Sequence, residues 1–402
     1  MNIAVVTPQT SQWEDEHRAA VILVKALRRI GQNAWLISSI YHEGRPALDP
    51  DVVEKSDRGY VEVKDDPSGV PTIRVLSVKS LFPPGAVSLR AFVKVLSAIN
   101  EEYDPDAVVA TSSFWNGPEE TAKWVAIRKA LYSAGEVKKR AVFIYVPFYP
   151  ARISHLRAVE SAPKTMWAAV TLPAVLSEAD LVVVCCPQEL SYLRHKVKNA
   201  VECRSWVDPD FAQVAEEVSV QMPTFLTSFE HVVSYIGPVE EEKNVKALVK
   251  LADKLSSLGD VAVAVVGEGS AAEKLAREAR SRRNLVYISS PAFRELVAVM
   301  KRSTAGVDFS HYEPAGIRAL EFLYLGTPVA ASPGSKAWLL VTDGVDGVRL
   351  SRPDDVDGAA RWIAELIKRP GFREEMGRRG RGKADVAVKL ADMLVKRVEA
   401  FN

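Results

Sequence analysis

The residues best placed to do chemistry lie in 311–332, HYEPAGIRALEFLYLGTPVAAS, where Glu313 and Glu321 punctuate an otherwise apolar segment. Residues 304–310 read as a strand and 314–325 as the helix that follows it. Pro314 suits a first helical turn, where its missing N–H costs nothing. Gly316 removes a side chain where another molecule could approach the backbone. The N–H groups of that turn make a natural anion site, with a diphosphate as its usual occupant. Glu313 would lie outside the turn and face the ligand, with Glu321 deeper on the same helix. At 3.6 residues per turn the two glutamates are about 80° out of alignment, so a ligand meeting both must be extended. A sugar, a diphosphate and a ribose in line would offer each carboxylate hydroxyls to accept from. Helix chemistry alone leaves a second reading open: a capping Glu313 and a solvent-facing Glu321.

Such a site needs a rigid frame. At 402 residues the chain exceeds one small core. NIAVVTP, NAWLISS, TIRVLSV, DAVVATSS, RAVFIYVP and ADLVVVCCP are apolar runs without polar alternation, as a parallel sheet covered on both faces requires. Helical stretches such as HRAAVILVKALRRIGQ separate them, this one stopped by Gly31. Residues 42–72 are polar and rich in Pro, Gly and Asp, and read as loops and edge strands. The rhythm restarts near residue 206 with HVVSYIGP, VAVAVVGEG, NLVYISS, TAGVDFS and TPVAAS, spaced by NVKALVKLADKLSSLG and SAAEKLAREARSR. The expected fold is α/β, two doubly wound Rossmann-like domains facing a central cleft, because ligands of such sheets sit at the carboxyl ends of the strands. Residues 1–205 form the first domain and 206–385 the second, joined around CRSWVDPDFAQ. Residues 386–402 form a C-terminal helix that packs back on the first domain.

Composition narrows the function. Lys+Arg is 52 against Asp+Glu 51, a net charge of +1 without the basic surplus of a nucleic-acid binder. MNIAVVTPQ reads as a first strand, lacking the basic region of a signal peptide. No apolar run reaches the roughly 18 residues of a membrane span. The three cysteines show no zinc spacing and read as small buried hydrophobes in a reduced, cytoplasmic compartment. Residues 78–96 mix Leu, Phe and Val with Lys79, Arg90 and Lys94. That pattern fits an interfacial helix on a membrane surface or, the favoured reading, an ordinary domain helix.

EPAGIRALEFLYLGTPVAAS resembles the E-x7-E signature of the retaining glycosyltransferases with the GT-B fold, family 4, also called glycosyl transferases group 1. The resemblance runs through residues 206–380. WVDPDF stands at the family's interdomain linker, and SYIGPVEEEKNVKALVKLADKL at its strand, loop and helix with a phosphate-binding lysine. VVGEGSAAEKL, NLVYISSPAFRELVAVMKRSTAGVDFS, DGVDGVRLSRPDD and IKRPGFREEMGRRGRG follow in register. The resemblance implies a nucleotide-sugar donor, Glu313 accepting from donor-sugar hydroxyls and Glu321 from the ribose. Backbone N–H groups of Ala315, Gly316 and Ile317 would face the diphosphate. Lys243 would stabilise charge on the leaving phosphate. Gly267 and Gly269, after VAVAVV, would shape a loop near the nucleotide or form a simple turn, Gly237 would lie on the donor side, and ISSPAF (288–293) would present backbone groups to the base. Retaining transfer of this kind needs no side-chain nucleophile, metal or cofactor, and PDD at 353–355 reads as a solvated turn. The acceptor stays unidentified: a sugar, a lipid-linked glycan or a small molecule.

Three departures stand out. Pro238 occupies the position where the family carries an arginine beside the glycine, so Arg318 is the candidate replacement cation. PQTSQWEDEH replaces the family's glycine-rich turn after the first strand. The expected first-domain histidine is absent near FIYVPFYP, leaving His155 as the nearest candidate, with Tyr149 beside the same stretch. Trp13, Trp115, Phe148, Tyr149 and Trp167 could line an acceptor pocket or serve as core. With the cation and the histidine missing, a non-catalytic nucleotide-sugar-binding protein or partner subunit is the alternative function.

Overall fold

The computed structural model describes residues 1–79, 87–89, 92–111, 117–148, 169–217 and 223–401. Within these the chain divides into two compact units, one of residues 1–148, 169–205 and 387–401, the other of 206–386.

Unit 1 is built on β1 (Asn2–Val6), β2 (Asn33–Ser39), β3 (Tyr60–Val63), β4 (Thr72–Val75), β5 (Ala107–Thr111), β6 (Val142–Val146), β7 (Leu181–Val184) and β8 (Ala200–Glu202). Their order across the sheet is β8-β7-β6-β5-β1-β2-β4-β3. All pairs are parallel except the edge pair β3–β4. Ile3, Ala4, Val5 and Val6 of β1 are all buried, which two covered faces demand and an alternating strand could not supply. Helix α1 (Asp15–Arg29) follows β1 and buries Ala19, Ile22, Leu23, Ala26 and Leu27. The C-terminal helix, Val388–Phe401, packs on α1, burying Leu390, Leu394 and Val398.

Unit 2 carries β9 (His231–Ile236), β10 (Val261–Val266), β11 (Leu285–Ile288), β12 (Ala305–Asp308), β13 (Val329–Ala331) and β14 (Gly347–Arg349). They run in the order β11-β10-β9-β12-β13-β14, all parallel. Helix α2 (Val245–Leu255) lays Leu248, Leu251 and Leu255 on the core with Val233 and Val263 of the sheet. Their spacing of three and four residues is that of one helical face.

Every strand expected from an apolar run forms. Beyond them stand β8 and β14, short edge strands with too few apolar residues to show a period, and two small hairpins, Tyr41–His42 with Arg45–Pro46 and Ser77–Lys79 with Val87–Leu89. Residues 42–72, expected as loops and edge strands, contain β3. Asp355 is more than a solvated turn residue: its carboxylate accepts from Gly358 N at 2.9 Å and caps the helix Val356–Lys368. Among the described residues no helix is long and apolar enough to cross a membrane. Most of the interfacial-helix candidate at 78–96 lies outside the described residues.

Candidate functional site

Unit 2 brings its candidate site residues to the point where its strand order reverses. From β9 the sheet grows through β10 and β11 on one side and through β12, β13 and β14 on the other. The segments leaving the carboxyl ends of β9 and β12 therefore diverge, and doubly wound sheets bind ligands at such a point. Lys243 follows β9, and Glu313 follows β12.

Lys243 closes a 3₁₀ turn, Glu241–Lys243, after which Asn244 takes a left-handed conformation and α2 begins. The ammonium is nearly buried, with the residue 5% exposed. Its Nζ donates to Tyr312 O and to Glu313 Oε2, each at 2.8 Å. Burial alone would push the lysine toward neutrality, but Glu313, Glu242 and Tyr235 hold it well above its ordinary value. An ammonium has three N–H donors; beyond the two bonded oxygens, Glu242 Oε1 stands 3.6 Å from it.

Glu313 is fixed from several sides. Its N–H donates to Gly334 O at 3.1 Å, and its carbonyl accepts from Lys336 N at 2.7 Å. Oε1 accepts from Ala315 N at 3.1 Å, and Oε2 takes the Lys243 bond. Each carboxylate oxygen retains acceptor capacity toward a hydroxyl. Asp308, at the end of β12, ties the supporting loops together. Its Oδ1 accepts from Ser310 N at 2.9 Å and its Oδ2 from Ser335 Oγ at 2.5 Å. His311 N reaches Glu242 O at 2.8 Å, joining the Lys243 turn to the Glu313 loop.

The helix after this loop, α3 (Ile317–Leu325), starts three residues later than expected. Gly316 sits at φ 70° and ψ 24°, a left-handed cap that delays helical geometry until Ile317. Pro314 therefore lies in the loop. The space left by the missing Cβ of Gly316 is filled by the chain itself: an added Cβ would stand 3.0 Å from Leu340 Cδ1 and 3.1 Å from Ala337 N. The Ala315 N–H, expected on the diphosphate, is held by Glu313. Glu321 is fully buried, and Arg318 Nη1 donates to its Oε2 at 2.9 Å. That removes the solvent-facing reading of Glu321 and places the candidate replacement cation on a carboxylate of this chain.

Gly237 and Gly267 extend the sheet past the ends of β9 and β10. Gly237 N donates to Val266 O and Gly267 N to Ile288 O, each at 3.0 Å. A Cβ on Gly267 would fall 1.9 Å from Gly237 O. Gly267→Ala must push these loops apart, and we expect it to cost on the order of 2–3 kcal/mol. Thermal unfolding of the variant checks this, with a melting temperature equal to that of the parent chain as the contrary result.

Pro238 presents its carbonyl to the Tyr235 hydroxyl at 2.8 Å. Ser289–Ala292 of ISSPAF join β11 to the helix Phe293–Arg302. Tyr149, His155, Trp115 and Trp167 lie outside the described residues, while Trp13 and Phe148 are buried. Two features escaped sequence reading. Lys336 is completely buried beside the Glu313 backbone, and its signal is a lysine between small residues and the apolar AWLL. The Asp308–serine network had only the strand-end pattern VDFS to announce it. No group of His, Cys, Asp or Glu among the described residues has the grouping of a metal site.

With this geometry in place, residues 226–383 match the model of the family "Glycosyl transferases group 1". The chain is 30% identical over 151 residues to glycogen synthase from Mycobacterium tuberculosis, a match covering 37% of this chain and 36% of that one. It thus spans about a third of the length of that curated relative. Over its whole length it superposes on sucrose-phosphate synthase from Thermosynechococcus elongatus, covering 100% of both chains with TM-score 0.66 and 18% identity. The Anabaena HepE protein in complex with UDP-glucose also matches over 100% of both chains, with TM-score 0.60 and 14% identity. These structural likenesses show the GT-B fold across the whole chain.

Proposed function

We propose that this chain is a retaining, metal-independent glycosyltransferase moving a sugar from a nucleoside-diphosphate sugar to an acceptor hydroxyl. The observation that carries the reading is the Lys243–Glu313 pair at the strand-order reversal, beside the first turn of α3. The third ammonium N–H of Lys243 would meet the leaving phosphate, a preorganised charge whose strength grows in its nearly dry setting. The spare acceptor capacity of Glu313 would take donor-sugar hydroxyls, and the N–H groups that open α3 would face the diphosphate. In the transfer the acceptor oxygen bonds to the anomeric carbon as the bond to the phosphate oxygen breaks on the same face. The departing phosphate takes the acceptor proton. The family match over 226–383 and the UDP-glucose held by HepE support this donor class. The sparse cysteines keep the cytoplasm as the expected compartment.

A second reading, a nucleotide-sugar-binding protein without turnover, is favoured by Pro238 and by the Arg318–Glu321 pair, which engages both the spare cation and the expected ribose carboxylate. Calorimetric titration with UDP, ADP and GDP, followed by turnover of the matching glucose or mannose donors, separates the two. The transferase reading expects binding with release of nucleotide, both lost in Glu313→Ala. Binding without release supports the second reading, and failure to bind any of the three nucleotides removes both.

A further inference from the structure

The turn that carries Lys243 is held from a neighbouring strand. Past the ends of β9 and β10 the two exit segments stay side by side: Val239 N donates to Glu268 O at 2.8 Å and Ala271 N to Val239 O at 2.9 Å. Glu240 adds its side chain to this seam. Its Oε1 accepts from Ser270 N at 2.8 Å, and its Oε2 accepts from Ser270 Oγ. One carboxylate thus takes two donors from one residue, which fixes direction as well as distance. The approach is close enough to need a glycine beside it, since a Cβ on Gly269 would stand 2.4 Å from Val239 O and 2.6 Å from Glu240 Oε1.

The backbone of Glu240 reaches the lysine directly. Glu240 is the last extended residue before the 3₁₀ turn, at φ −121° and ψ 160°, and its carbonyl accepts from Lys243 N at 3.1 Å. On the far side His311 N holds Glu242 O, and Asn244 Nδ2 donates to Pro353 O at 2.9 Å. The turn is therefore anchored on the loop after β10, on the loop after β12 and on residue 353. With Lys243 nearly buried, its ammonium has little freedom apart from the turn that bears it.

We propose that Glu240 is a positioning residue for Lys243, clamping the lysine's turn to the loop after β10 so that the ammonium keeps its place beside Glu313. Only the effect of the clamp on rate rests on the glycosyl-transfer reading above; the contacts themselves do not. The role is one of geometry rather than charge. Glutamine can reproduce both bonds, with Oε1 accepting from Ser270 N and Nε2 donating to Ser270 Oγ, whereas alanine makes neither. Ser270 is exposed and Glu240 half-buried, so loss of the clamp leaves the melting temperature near that of the parent chain.

The experiment follows Lys243 itself, by trace acetylation of the full chain with acetic anhydride and peptide mass spectrometry, with the exposed Lys246 as internal reference. Relative to Lys246, Lys243 is acetylated several times faster in Glu240→Ala than in the parent chain, and at the parent rate in Glu240→Gln. Ser270→Ala, which deletes one of the two bonds, gives a smaller rise in the same direction and serves where Glu240→Ala does not fold. Nucleotide release from the donor follows the same order, about tenfold slower in Glu240→Ala with donor KM little changed, the cost of a small misplacement of a group that acts on the reacting atoms. In the Lys243→Met background Glu240→Ala slows release no further, because its effect passes through the lysine. Unchanged acetylation of Lys243, a glutamine variant as impaired as the alanine one, or further slowing in the Lys243→Met background overturns the proposal. A parent chain that releases no nucleotide removes the transfer reading and leaves acetylation to decide this one. Release by the parent, with Lys243 acetylation unmoved in Glu240→Ala, removes this proposal alone.

Discussion

With Lys243 in the proposed role, Lys243→Met is expected to slow sugar transfer by about 10²–10³, the loss seen when one preorganised donor to a developing charge is deleted. Methionine keeps most of the stem volume, so the change isolates the ammonium. Two consequences follow from the geometry. On the proposed reading the leaving phosphate would lose an N–H, and Glu313 keeps its carboxylate in a nearly closed pocket without its cation, since the two side chains are only 6% and 12% exposed. The affinity for the intact nucleotide-sugar donor falls less than the rate does, because a leaving group gathers more charge in the transition state than the bound donor carries. Glu313→Gln is the complementary change, keeping shape while removing the charge and one of the two acceptor oxygens that Lys243 and Ala315 now use. The two residues share one hydrogen bond and act as a unit, so the double variant is no slower than the slower single one. Rates of nucleotide release, with donor affinity by calorimetry and melting temperature as a fold control, test all three variants. A rate for Lys243→Met within threefold of the parent sinks the assigned role.

How much of this was written in the sequence depends on which physical signal each feature uses. The parallel strands were legible because burial on both faces leaves an uninterrupted apolar run, as in VAVAVV (261–266) and LVVV (181–184). Edge strands such as Gly347–Arg349 bury too little to leave that mark. The placement of Glu313 after a strand and before a helix was likewise legible. Its hydrogen bond with Lys243 was not, because it depends on β9 and β12 being neighbours, and adjacency in a sheet is a long-range fact. The register of α3 was misjudged for a local reason. Pro314 is a good first-turn residue, but Gly316 at positive φ outranks it and moves the start to Ile317. Glu321 and Arg318 stand three apart on that helix, a spacing that permits an ion pair. The sequence did not say that burial would make the pair their arrangement here.

Arg74→Met destabilises unit 1 by about 3–5 kcal/mol, the cost of leaving a buried charge without its partner. Arg74 and Asp66 are 0% and 6% exposed, and every guanidinium nitrogen of Arg74 is engaged. Nε and Nη2 grip the two Asp66 oxygens at 2.8 and 2.7 Å, Nη2 also reaches Thr10 Oγ1, and Nη1 donates to Ser39 O at 2.7 Å and Tyr41 O at 3.1 Å. One side chain on β4 thus ties the end of β2, the hairpin after it and the loop after β1. Asp66→Asn, which keeps the shape, loses the charge and strands the arginine. Replacing both, Arg74→Met with Asp66→Leu, costs less than either single change, because no ion is left buried alone. Burial would raise the Asp66 carboxyl, yet Arg74 holds it below the ordinary carboxylate value. The contribution of the pair is therefore complete above the unfolded pKa of an aspartate and fades as pH falls through the depressed folded value. Hydrogen exchange of peptides covering 60–79 reads the effect locally, without requiring both units to unfold together. The single variants should lose protection there and in the loop 7–14, and the double variant should regain much of it in 60–79. In the loop it should not, since Thr10 and Tyr41 have lost their donor, and equal recovery in both segments would contradict the assignment of Arg74 as the tie.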